Sequence, residues 1–204
     1  MSIIDDKREI REGIENWALW RDMGHWEGMR SVWHDDGHMQ ATWRQGTADA
    51  FVASTIEAFE KGVTILHMLG GTTIDVAGAR AVAITKVTVS QRAEVEGVLC
   101  DVTCMARHYD FWERRGGRWG LVLREGVYDK DWISTVEPGA RVTLDPQLLA
   151  SFPEAYQHLA YLQTRVGFAV KRDMPCLRGP AVQALYARGR AWLAGTLAAP
   201  WDEA

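Results

Sequence analysis

Cysteine is scarce in this chain. Three residues in 204, at 100, 104 and 176, are too few and too unevenly spaced for a disulfide framework. No CxxC pair offers a structural zinc site. The thiols read as small buried hydrophobes, with Cys100 and Cys104 on one face of a strand. Charge of one sign is also lacking. Twenty-three basic against 27 acidic residues give a formal net charge of -4, so no basic face for nucleic acid is expected. No apolar run approaches the roughly 18 residues of a membrane span. The first residues lack the basic–apolar–small order of an export signal, which leads to the expectation of a reducing cytoplasm and no membrane partner. A Gly-rich phosphate loop, a GxSxG elbow and an HExxH pair are all missing, so phosphoryl, hydride and serine-nucleophile chemistry lose support.

What the chain has in excess is tryptophan, ten copies of it. Some belong to the core, and others suit the wall of a pocket for flat apolar ligands.

Residues 5–23 carry Ile10, Ile14, Trp17 and Ala18 at helical spacing, with Asp5 and Asp6 near the start and Gly24 at the stop. A short helix with Trp26, Met29 and Trp33 on one side follows, and Gly37 closes the turn after it. His38 to Trp43 reads as a short strand. Thr47 caps a third helix containing Phe51, Ile56 and Phe59 that stops at Gly62. From Val63 the period changes to two. Four long extended segments, about 63–76, 80–92, 97–114 and 118–129, are separated by turn sequences, of which Gly116-Gly117 is the strongest hairpin signal. Helices first and long antiparallel strands afterwards predict an α+β fold, a curled sheet roofed by N-terminal helices. This unit is expected over residues 1–136. Residues 137–204 are expected to be a helical extension, with helices from Pro146 to about Ser151, from Pro153 to about Val166 and from Pro180 to Leu193, packed on the cone or on a neighbouring subunit.

Several polar residues stand where apolar ones belong. Asp22 closes the first helix, where its charge opposes the helix dipole; a solvated aspartate beside Arg21 is the plain alternative. His67 interrupts the apolar run Ile65-Leu66-His67-Met68-Leu69. It is either a core histidine bonded to a carbonyl or a general base oriented by a carboxylate, with Asp22 as the candidate. Arg124 alternates with Gly120, Val122, Gly126 and Tyr128; it either holds a departing anion or pairs with an acid such as Glu125. His108 follows Val102, Cys104 and Ala106 on one face, and either touches a ligand or closes a core. The His34-Asp35-Asp36-Gly37-His38 run has the composition of a metal cluster, but consecutive side chains of a turn do not converge on one ion, so a solvated loop is expected and no metal.

Taken together, residues 5–132 resemble the SnoaL-like branch of the nuclear transport factor 2 (NTF2) superfamily. The aspartate ending helix 1, the Trp33-His34-Asp35-Asp36 turn before the first strand and the Glu113-Arg114-Arg115-Gly116-Gly117-Arg118-Trp119 hairpin carry the resemblance. Their spacings are similar to those of hexachlorocyclohexane dehydrochlorinase and, more loosely, scytalone dehydratase. The resemblance implies an NTF2-like cone and an elimination without metal or other cofactor. Asp22 and His67 would be the acid–base pair, and Arg124 would assist the leaving group. It implies that Trp17, Met39, His108 and Tyr128 contact a small hydrophobic aromatic or cyclic hydroxylated substrate, such as a lignin-derived aromatic dimer. An isomerase and a non-catalytic small-molecule-binding module remain the alternatives. The second histidine of scytalone dehydratase, the lysine of the dehydrochlorinase and the long tail have no counterpart in the comparison. Finally, the alternate set Thr103, Met105, Arg107, Tyr109 and Phe111 mixes apolar, aromatic and arginine side chains, which predicts a homo-oligomer, a trimer ahead of a dimer.

Overall fold

The computed structural model describes residues 2–201. Helix α1 (Ile3–Met23) begins with a capping box, in which the Ser2 hydroxyl accepts from the Asp5 N–H and the Asp5 carboxylate accepts from the Ser2 N–H. It ends at Gly24, whose φ of 74° is open to glycine at little cost. Its inner face, Ile10, Ile14, Trp17 and Ala18, is fully buried. Helices α2 (Trp26–Ser31) and α3 (Ala48–Glu60) complete the roof, with α3 capped by Thr47 as its sequence predicts.

The four long strands are β3 (Thr64–Ala77), β4 (Arg80–Val95), β5 (Val98–Arg115) and β6 (Arg118–Thr135). They form a continuous antiparallel meander. The β5–β6 hairpin turns on Gly116 and Gly117, both at positive φ. Strands β1 (Trp33–Gln40) and β2 (Gln45–Thr47) extend the sheet to six strands in the order β2-β1-β6-β5-β4-β3.

Here the structure corrects the sequence reading. The short strand starts at Trp33, not at His38, and it runs parallel to β6, so the sheet is mixed. A register shift between Trp33 and His38 absorbs the polar residues between them. They do not form a solvated loop as a whole. His34 is buried, its Nε2 on the Glu113 carbonyl at 2.8 Å and its Nδ1 by Arg118 at 3.2 Å. Asp36 reaches Arg115 at 2.7 Å, and His38 bonds the Asp36 carbonyl. The side chains of the run thus diverge.

The C-terminal extension wraps both faces of the sheet. Short helix α4 (Pro146–Ala150) is capped by Asp145. A single 3-10 turn at Glu154–Tyr156 then leads into α5 (Gln157–Arg165), so Pro153 precedes that turn and does not open an α-helix. Tyr156, Leu159, Ala160, Tyr161 and Leu162 pack with Cys100, Val102 and Cys104 of β5. Helix α6 (Pro180–Leu193) lies on the opposite, convex face, where Val182, Leu185 and Trp192 cover Tyr109, Phe111 and Leu123. Glycine at 189 permits this approach, because a Cβ there would overlap the Tyr109 hydroxyl. Tyr109 and Phe111, expected at a subunit interface, are therefore sealed by the chain's own tail. Among the described residues no helix is long and apolar enough to cross a membrane.

Candidate active site

The hollow between roof and sheet narrows to a cavity with about 60 Å³ of space open to the centre of a water molecule. Its wall draws on every layer. Helix α1 supplies Trp17 and Arg21; the β1–β2 region supplies Met39, Thr42 and Trp43; α3 supplies Phe51. Strands β3 to β6 supply His67, Val89, His108 and Tyr128, and α5 supplies Leu159 and Gln163.

Asp22 lies one residue beyond Arg21 and turns to β3, not to solvent. Its Oδ1 is 2.6 Å from His67 Nδ1, and its Oδ2 accepts the His67 backbone N–H at 2.6 Å. A carboxylate only accepts, so Nδ1 carries the proton, and Nε2 is left with a free lone pair on a ring that lines the cavity. Burial holds the imidazole below its ordinary 6.5 despite the opposing pull of the Asp22 hydrogen bond; the positive charges of Arg21 and Arg124 push the same way as burial. The base is therefore neutral at neutral pH.

His108 stands beside it. The two imidazole centres are 6.4 Å apart, and both rings pack edge-on to Trp17 at 5.4 Å. Burial, then Arg124, then His67 hold His108 well below 6.5. Its Nδ1 is buried with no partner among the described residues. The Tyr128 hydroxyl accepts the Thr42 N–H at 3.2 Å, and burial raises its pKa, so it stays protonated with its own hydrogen to donate.

Arg124 pairs with an acid, one of the two roles its sequence position left open. Its guanidinium is fully buried and held by both oxygens of Asp110, at 2.8 and 2.7 Å, on the paired position of β5. It lies 4.2 Å from the Trp17 ring centre and is not among the residues that line the cavity. The acid it pairs with is Asp110; Glu125, the sequence neighbour, binds Arg188 instead. A second correction explains the facing. A register shift between Phe111 and Trp112 breaks the alternation of β6, so Val122 joins the outer cluster while Leu121 points inward. Of the seven residues singled out from sequence, Trp17, Met39, His67, His108 and Tyr128 line the cavity; Asp22 and Arg124 stand directly behind it.

Three polar wall residues escaped the sequence reading: Arg21, Gln163 and Thr42, whose buried Oγ1 has no partner among the described residues. Arg21 is 3% exposed, and among the described residues no acceptor bonds its guanidinium. Gln163, from the tail, buries an unpartnered Oε1. A signal for Arg21 existed, since position 21 continues the Ile10, Ile14, Trp17 stripe by four residues.

A family model described as a SnoaL-like domain matches residues 2–125. A PEP2-like protein of Fusarium vanettenii is 32% identical over 204 residues, covering 95% of this chain and 88% of that protein. Pea pathogenicity protein 2 of the same fungus is 35% identical over 178 residues, or 85% of this chain and 76% of its own length. Among solved structures, a protein named as a scytalone dehydratase, from Novosphingobium aromaticivorans, aligns with a TM-score of 0.53 at 17% identity over 69% of this chain and 97% of its own. Hexachlorocyclohexane dehydrochlorinase LinA-type3 of Novosphingobium barchaimii aligns with a TM-score of 0.56 at 14% identity over 70% and 97%. These two structures share the fold and leave nearly a third of this chain without a counterpart; the PEP2-like relative spans almost all of it.

Proposed function

The chain belongs to the SnoaL-like domain family, and from that premise we propose that it is a lyase acting on a small ring compound. His67 takes a proton from carbon, Asp22 fixes the imidazole with Nε2 as the base, and a group departs from the neighbouring carbon. One observation carries this reading: the 2.6 Å contact between Asp22 Oδ1 and His67 Nδ1, at the wall of a mainly apolar cavity. His108 and Tyr128 are the groups placed to meet the leaving group, and Trp17 and Met39 hold the ring. Burial keeps both histidines neutral, and Arg124, behind Trp17, adds a smaller push in the same direction. No metal or cofactor enters this scheme.

The names of the two solved structures, a dehydratase and a dehydrochlorinase, support elimination as the reaction class by analogy of fold. A second reading is isomerisation, favoured by the 6.4 Å spacing of His67 and His108, which would let one ring remove a proton and the other return it.

The test is a panel of hydroxylated and halogenated single-ring compounds, followed by proton NMR in deuterated buffer. Elimination yields an alkene and a released water or halide; isomerisation yields deuterium in the product with no loss of mass. His67→Ala should lower turnover by about 10²–10⁴-fold while the protein stays folded. Full activity of a folded Asp22→Asn/His67→Ala double variant would defeat both readings, and ligand binding without turnover would mark a carrier.

Self-assembly belongs to the same proposal. Leu66, Met68, Leu99, Met105 and Trp132 share the convex face beyond α6, each at least 40% exposed. A homo-oligomer, trimer or dimer, is expected by sedimentation velocity, and Met68→Glu/Met105→Glu should shift it to monomer. The three free thiols suit a reducing cytoplasm.

A further inference from the structure

Four charged side chains surround the cavity in addition to the neutral histidines, and three are already engaged. Asp22 gives both oxygens to His67. Arg124 and Asp110 satisfy each other. Arg21 is the exception. It is as buried as any core residue and lines the same wall as His67, yet no acceptor among the described residues reaches its guanidinium. An unpaired buried cation is costly, and a protein that keeps one either neutralises it or reserves it for a partner. Desolvation lowers the Arg21 pKa only to about 10, so the charge persists at neutral pH. The helix C-terminus and the adjacent Asp22 offset part of that cost, but neither supplies the planar pair of acceptors that a guanidinium fits.

The surroundings of Arg21 complete the picture. Gln163 of α5 lines the cavity with it and buries an Oε1 that has no donor. Gln91 of β4, also buried, meets both in a small recess that adjoins the cavity. A cation flanked by carboxamides in an otherwise apolar enclosure is a site built for an oxygen-rich anionic group.

We propose that Arg21, flanked by Gln163, is the receptor for a carboxylate carried by the substrate, anchoring it with the remainder of the molecule against His67. The guanidinium donates to the carboxylate oxygens, and Gln163 bonds a hydroxyl beside them. The lyase is then specific for a ring or short-chain carboxylic acid over its neutral analogue. Half of the receptor comes from the C-terminal extension, which gives that segment a part in recognition. This inference rests on reading the cavity as a substrate site.

Isothermal titration with benzoate and butyrate, each against its neutral amide, tests it without knowledge of the natural substrate. At least one carboxylate should bind the wild-type protein, at least tenfold more tightly than the corresponding amide. Arg21→Gln should weaken that carboxylate at least tenfold and leave the amide unchanged, with Arg21→Lys intermediate because the ammonium keeps the charge and loses the fork. Should Arg21→Gln fail to fold, Arg21→Lys and Gln163→Leu carry the same comparison. Equal affinity of acid and amide, no binding of either acid by the wild type, or undiminished acid binding in the folded variants would overturn the proposal. His67→Ala separates it from the reaction assignment. That variant should still bind the carboxylate, and Arg21-dependent binding without elimination would sink the lyase reading alone. Elimination from neutral compounds at a rate Arg21→Gln does not change would sink the receptor alone.

Discussion

Asp110 and Arg124 face each other across β5 and β6, both fully buried, and the guanidinium they share rests 4.2 Å from the centre of Trp17. Trp17 in turn touches both His67 and His108 edge-on. The ion pair is thus the rigid backing of the cavity wall. Burial keeps the imidazoles unprotonated, with the Arg124 charge adding to it.

Breaking the pair from one side should be severe. Asp110→Asn or Arg124→Met should each cost about 3–5 kcal/mol, because a buried charge is left without its partner. Removing both, as Asp110→Leu/Arg124→Met, should cost less than the sum of the two. Urea unfolding midpoints check this, and simple additivity of the two losses would contradict it.

The dyad makes a signed prediction for the pH profile of turnover. His67 is held below 6.5 by burial, so the acid limb of kcat/KM should lie below pH 6.5 in the wild type. The Asp22 contact raises the pKa against that burial. Asp22→Asn should therefore reduce the rate and also move the acid limb to lower pH. A shift of the limb upward would show that Asp22 does not act on His67 as described.

Acid stability follows from the same groups. His67 and His108 have folded pKa values below their unfolded value of about 6.5. The unfolded chain binds more protons in that interval, so stability is full above pH 6.5 and declines as pH falls through it toward the folded values. Tm should drop between pH 7 and 5, and His108→Phe should flatten the drop. Equal slopes for the two proteins would rule His108 out as a source.

The tail should be indispensable to the fold. A chain ending at Glu137 exposes the surface that Tyr156, Leu159, Tyr161 and Leu162 cover on one face and Trp192 on the other, and it should aggregate. A finer probe is Gly189→Val, whose side chain collides with Tyr109 and should detach α6 while leaving the cavity intact. Tryptophan fluorescence of Trp192 and retained ligand binding separate the two effects; loss of both together would show that α6 and the cavity fold as one unit.

By itself the sequence determined the local elements and marked Asp22 and His67 as anomalies, while their pairing came from the family resemblance. The α1 stripe and its Gly24 stop, the four long strands and the Gly116-Gly117 turn are written in short-range periodicity and turn chemistry, which need no partner to be read. Asp22 and His67 stood out because each violates the pattern around it. Tertiary structure alone decided which acid meets Arg124, since a strand pairing, not a neighbour in sequence, brings Asp110 opposite. It decided the parallel course of β1, the placing of Tyr109 and Phe111 under α6, and the convergence of Arg21 with Gln163 from the far end of the chain. The physical reason is common to all of these. Periodicity fixes which side of an element a residue occupies, but the partner on that side depends on how distant elements dock, and a single bulge reverses the facing of every residue beyond it.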